Sequence, residues 1–79
     1  MENSTIRDEK TILFEARKRL SLTQLQVAEK SFITLRQYQK FESGERKLSS
    51  SSFWIASKVL QALELDVTTF ANGGYSQIK

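Results

Sequence analysis

Two helix-start signatures, eleven residues apart, constrain this chain more than any other feature of its sequence. In the stretch TQLQVAEKSFITLRQYQKFE, residues 23–42, Thr23 is followed three positions later by Gln26, and Thr34 by Gln37. Both pairs have the form of a capping box: the Thr hydroxyl accepts from the third helical amide while the Gln side chain reaches back to the cap amide. Each is bracketed by an apolar pair suited to a hydrophobic staple, Leu22 with Val27 and Ile33 with Tyr38. A single T-x-x-Q is commonplace. Two with matching staples predict helix, tight turn, helix.

The flanking sequence reads as more helix. A first helix is expected to start between Ser4 and Asp8 and to run to about Leu20, acidic early and with Arg17, Lys18 and Arg19 in its last turns, as the helix dipole favours. Leu13, Ala16 and Leu20 give it an apolar stripe with Arg17 beside it, and Ile12 and Phe14 widen that surface. The second helix runs from Thr23 to Lys30 or Ser31 with Val27 and Ala28 inward and Leu25 nearer the edge. The third takes Thr34 to about Glu42 with Tyr38 and Phe41 inward, and Gly44 is its natural left-handed terminus. Residues 44–51, GERKLSSS, read as a polar loop. Ser51 or Ser52 then caps a fourth helix that reaches Leu63 or Glu64 and centres the core through Ile55, Val59 and Leu63, with Ala56, Leu60, Ala62 and one of Phe53 or Trp54. Asp66 suits the cap of a short last helix, Val67 to Ala71, with Phe70 packing back. Asn72-Gly73-Gly74 stops it and YSQIK reads as a loose tail. With no proline and no strand pattern, the expectation is all-α: five helices around one core of about residues 6–71, a single domain with tails at 1–5 and 72–79.

Composition removes several functions. The chain has no cysteine and no histidine, so the usual zinc ligands and the commonest general base are missing. Its serines lack an activating base and its three glycines form no phosphate-cradling loop. Neither catalysis nor a metal or other cofactor is expected. No apolar run approaches a membrane span and MENSTIRDEK is too polar for a signal peptide, which points to the cytoplasm and no membrane partner. The net charge of +3 is unevenly spread. Residues 17–58 carry nine cations against three carboxylates, whereas the segments on either side are net acidic. A solvated Lys/Arg surface would look the same from charge alone, but here the excess sits on the two-helix stretch, as a polyanion footprint would.

Two short helices joined by a tight turn can present the second to the DNA major groove. The third helix offers Thr34, Leu35, Arg36 and Gln37 at its start, with Gln39 and Lys40 one turn on. Arg can bond bidentately to guanine, Gln suits adenine, and Leu can touch a thymine methyl. Any one of these side chains could be ordinary helix surface. As one face beside two fixed helix starts, they point to DNA.

Residues 13 to 70 resemble the phage-repressor and Cro type of helix-turn-helix protein, the XRE family. The likeness is carried by ARKRLSLTQLQVAEK, then by I-T-x-x-x-Y-x-x-F-E-S-G-E-R, then by VLQALELDVTTF. Leu22-Thr23-Gln24 matches the opening of that family's second helix, and Val27-Ala28 its inward apolar position followed by a small residue. The resemblance implies a five-helix bundle of the lambda-repressor-like type, and a transcriptional regulator binding operator double-stranded DNA as a homodimer on a palindromic site. It implies that Thr34, Leu35, Arg36, Gln39 and Lys40 face the major groove and that Thr23 and Gln24 meet phosphate. Arg46 and Lys47 would meet the backbone or minor groove, and Arg17 would pair with Glu42. Two departures stand out. The turn has Ser31 and Phe32 where the family has an apolar residue and then Gly, and a left-handed Phe32 would cost on the order of 1–2 kcal/mol. The loop after Gly44 is also a few residues longer and lacks the usual Pro. An alternative is an antitoxin-like protein-interaction module that uses the fourth and fifth helices or the tail. RNA binding ranks last, since no aromatic stacking platform is evident.

Overall fold

A computed structural model describes residues 8–76, and every α-helix in it begins at a residue whose own side chain holds the first turn. The helices are α1 (Glu9–Arg19), α2 (Gln24–Ser31), α3 (Leu35–Ser43), α4 (Phe53–Ala62) and α5 (Val67–Ala71), with a 3-10 turn at Leu48–Ser50. Asp8 accepts from the Thr11 amide at 3.1 Å, Ser52 from Ile55 at 3.2 Å and Asp66 from Thr69 at 2.8 Å. Both capping boxes are complete. Thr23 accepts from the Gln26 amide at 3.1 Å and Gln26 Oε1 from the Thr23 amide at 2.8 Å, and the corresponding Thr34–Gln37 bonds are 3.0 and 2.9 Å. The fold is all-α with five helices, and no strand occurs among the described residues. The part of the expected first-helix start that precedes Asp8 lies outside those residues.

The helix ends are built as consistently as the starts. Ser21, Phe32 and Glu64 are left-handed, at φ 58°, 59° and 58°. Each is followed by an apolar residue whose amide returns to the last full turn: Leu22 to Arg17 O at 3.1 Å, Ile33 to Ala28 O at 3.1 Å and Leu65 to Leu60 O at 2.8 Å. This is the Schellman closure, normally made with glycine at the left-handed position. Leu22 and Ile33 therefore end one helix and staple the next, which keeps both turns short. The expected strain at Phe32 is present. Phe32→Gly and Phe32→Ala both remove the ring, so their difference isolates the backbone. The glycine variant is expected to be more stable than the alanine variant by about 1 kcal/mol, a gap of several degrees in Tm for a chain of this size. Equal melting temperatures would mean that Phe32 is not strained.

One apolar cluster joins α1 through Ile12, Leu13 and Ala16, α2 through Val27 and Ala28, α3 through Tyr38 and Phe41, and α4 through Val59 and Leu60, with Leu63 and Leu65 just beyond α4. α2 packs on both α3 and α4, and α1 on α3. Three expectations need correction. Neither Phe53 nor Trp54 enters the core; they are 74% and 69% exposed, because the inward stripe of α4 begins only at Ile55 and Ala56. The loop after Gly44 is not wholly polar in its role. Leu48 is fully buried and anchors it, while the Ser49 amide donates to Glu9 of α1. Nor is the start of the tail loose. Gly73, at φ 77°, turns the chain back, Tyr75 packs against the core, and its hydroxyl accepts from the Asp66 amide at 2.9 Å.

Candidate nucleic-acid interface

The two-helix unit is locked by one carboxylate. Glu42, in the last turn of α3, accepts from Arg17 Nε at 2.8 Å, Arg17 Nη2 at 2.7 Å, the Tyr38 hydroxyl at 2.6 Å and Gln24 Nε2 at 3.0 Å. Four donors saturate a carboxylate. Arg17 Nη1 also donates to Leu22 O at 3.0 Å, so one network ties α1, the connection to α2, the start of α2 and the whole of α3. Burial pushes the Glu42 carboxyl upward, but hydrogen bonds from Arg17, Tyr38 and Gln24 outweigh it and hold the group below its usual 4.5. Burial, then the bond to Glu42, pushes the Tyr38 phenol above its usual 10.0.

These shifts set a pH dependence. A carboxylate with a depressed folded-state value contributes stability that is present above its unfolded value and is lost as pH falls through the folded one. The raised Tyr38 has the opposite course: its contribution is present below pH 10.0 and lost as pH rises further. The urea midpoint is therefore expected to be flat between these limits and to drop below pH 4.5 and above pH 10.0. Asp8 and Asp66, lowered mainly by their bonds from Thr11 and Thr69, add to the acid limb. A Tyr38→Phe variant should lose the alkaline limb and weaken the acid one, which Glu42 keeps through its bonds from Arg17 and Gln24.

Beside this lock, the start of α3 opens on a cleft of about 400 Å³. Arg36, Lys40 and Arg46 contribute three cations to its lining, which contains no carboxylate. Thr34 and Ser52, the caps of α3 and α4, line it together, so two helix N-termini with their positive ends meet at one opening. The Arg46 amide donates to Lys40 O at 3.0 Å, which fixes the loop against α3. Gln39 lies on the outer side of α3, sharing a shallower groove with Arg36, Lys40 and Glu45.

The sequence-derived residues thus fall into groups. Thr34, Arg36, Gln37, Lys40 and Arg46 come together at the cleft. Thr34 and Gln37 are also committed to each other in the capping box, and Leu35 is half-buried. Thr23 is exposed at the start of α2, whereas Gln24 turns inward, holding Glu42 and accepting from Gln39 at 3.3 Å. Lys47 is outside the cleft, in a neighbouring groove with Asp8, Glu9 and Lys10 that Arg46 also lines. Sequence reasoning read Ser51 and Ser52 only as possible caps, yet they line the cleft with Ser50 and Ile55. It also left the Tyr38 hydroxyl without a partner; a tyrosine rather than a phenylalanine at a core position was the available signal.

Among the described residues no helix is long and apolar enough to cross a membrane. A family model described as helix-turn-helix matches residues 13–67, from the middle of α1 to the first residue of α5. Neither a curated protein nor a solved structure gives a significant match to the chain.

Proposed function

The chain belongs to the XRE-type helix-turn-helix family and is a DNA-binding regulator of that type, and on this premise we propose that it is a sequence-specific repressor that reads the major groove of operator DNA with α3. The observation that carries the reading is the carboxylate-free cleft with Arg36, Lys40 and Arg46 beside the capped start of α3. In this docking Thr34, Leu35, Arg36, Gln37, Gln39 and Lys40 face base edges, while Thr23, Gln24, Arg46 and Lys47 address phosphate. Gln24 also holds Glu42, so the phosphate-facing end of α2 and the reading helix move as one body. Such a regulator acts in the cytoplasm, on the nucleoid. Selection of bound sequences from a random duplex pool is expected to enrich a palindrome with half-sites one helical turn, about 10 bp, apart. Failure to enrich any sequence would remove the proposal.

The palindrome requires a homodimer. An apolar groove of about 560 Å³ between α4 and α5, with Phe53, Leu60, Val67 and Phe70 in its wall, supports one. Glu9 is its one charged lining residue, so the wall is mostly apolar, and the two copies of Glu9 would have to stay at the rim of a two-fold contact. The antitoxin-like reading draws on the same exposed Phe53. Light scattering separates the two: a dimer in the presence of the selected duplex supports the repressor, and a strict monomer on a single half-site leaves the groove to another protein.

A further inference from the structure

Three groups outside the cleft have no role in the packing described so far. Phe32 and Trp54 are 81% and 69% exposed, and Lys58 stands between them with its ammonium 4.9 Å from each ring centroid. Phe32 occupies a position where glycine would be less strained, and its ring contributes nothing to the core. Two aromatic faces fix an otherwise flexible Lys side chain at one place. Among the described residues Lys58 makes no ion pair, although Glu64 lines the same groove as Lys58, Phe32 and Lys30.

The place matters. Phe32 lies two residues before Thr34, and Trp54 two residues after Ser52. Thr34 and Ser52 are the two caps that face the cationic cleft. The backbone that carries Phe32 and Trp54 therefore adjoins the two caps of the cleft, and Lys58, on the ledge it forms with the two rings, adds a cation to the Arg36, Lys40 and Arg46 of that side.

We propose that this ledge is part of the DNA footprint: Lys58 neutralises a backbone phosphate beside the site read by α3, and the Phe32 and Trp54 rings pack on the adjoining deoxyriboses. The inference rests on the DNA-binding reading and adds a contact to it. A cation held between two exposed rings, on backbone that adjoins both cleft-lining caps, favours a nucleic acid backbone over a protein here, whereas the α4–α5 groove, mostly apolar and with Glu9 as its only charge, favours a protein.

Trp54 is the only tryptophan, so its emission reports on this ledge alone. The full chain is titrated with a duplex carrying the selected site and with a duplex of unrelated sequence, across a salt series. Trp54 emission is expected to change with both. Lys58→Ala should weaken both complexes while leaving the base preference unchanged. It should lower the slope of log affinity against log salt by about 0.9, the share of one phosphate. Lys58→Arg should restore the slope, which a merely structural role for Lys58 would not predict. If the parent binds duplex but Lys58→Ala keeps the parental slope and Trp54 emission does not respond, the ledge lies off the DNA and the proposal falls alone. A parent that binds neither duplex would bring down the DNA-binding reading and this inference together.

Discussion

Replacing Glu42 by alanine is expected to cost about 3–5 kcal/mol of folding stability, the scale found when one partner of a buried ion pair is removed. The side chains of Arg17 and Glu42 are only 12% and 6% exposed. The substitution would strand the Arg17 guanidinium, the Tyr38 hydroxyl and the Gln24 amide at once, since all three donate to that one carboxylate. A chain of 79 residues has a total stability of roughly 4–12 kcal/mol. The variant would therefore lose a large share of it, and urea unfolding followed by helical circular dichroism should show a much lower midpoint at an unchanged slope. The ion pair itself adds much less than this loss, because desolvating the two charges opposes their attraction. Accordingly, Arg17→Met combined with Glu42→Leu is expected to recover much of the stability lost by Glu42→Ala. A parental midpoint for Glu42→Ala would show that the carboxylate does not hold the helices together.

The second large effect is on binding. Arg36→Ala should weaken the selected site by about 1–3 kcal/mol, roughly 5- to 150-fold, and relax discrimination at one base pair. Arg36 lines the cleft at the start of α3 and makes no ion pair among the described residues, so its removal should leave the fold intact. Gln24→Ala is the informative contrast. It should weaken all sequences about equally, with some loss of stability because Gln24 also donates to Glu42. Competition binding against single-base variants of the site distinguishes the two. If Arg36→Ala kept both the affinity and the base preference of the parent, α3 would not be docked by its N-terminal face.

What could be read in advance followed the range of each interaction. The caps at Thr23, Thr34 and Asp66, and the Ser51–Ser52 choice for α4, were legible because a cap and its partner lie three residues apart. The left-handed Phe32 was legible because the resemblance places a glycine there. Ser21 and Glu64 share its geometry and were overlooked, since nothing local in a serine or a glutamate announces a positive φ. Leu48 was hidden for a different reason. A lone leucine among serines and cations has no periodicity, and its burial depends on how α1 and α4 frame the loop. Periodicity likewise identified the inner stripe of α4 without showing where the stripe ends, so Phe53 and Trp54 were placed too far inside. At the interface, residue types named the side chains of α3, but only the tertiary structure shows that Arg46 lines both the cleft and the groove beside α1, whereas Lys47 lines the groove alone.

Five self-capped helix starts and four Schellman closures, the fourth at Gly73–Gly74, also bear on how quickly the protein can form. Each is complete within about six residues, so most of the backbone geometry is specified before distant parts of the chain meet. Small helical proteins dominated by local contacts fold in microseconds to milliseconds. The Arg17–Glu42 bond, across 25 residues, and the Ser49–Glu9 bond, across 40, are exceptions, and the first is suited to forming late, as the step that sets α3 in its final orientation. Folding of the helices would then add little to the time a newly made chain needs before it can bind DNA.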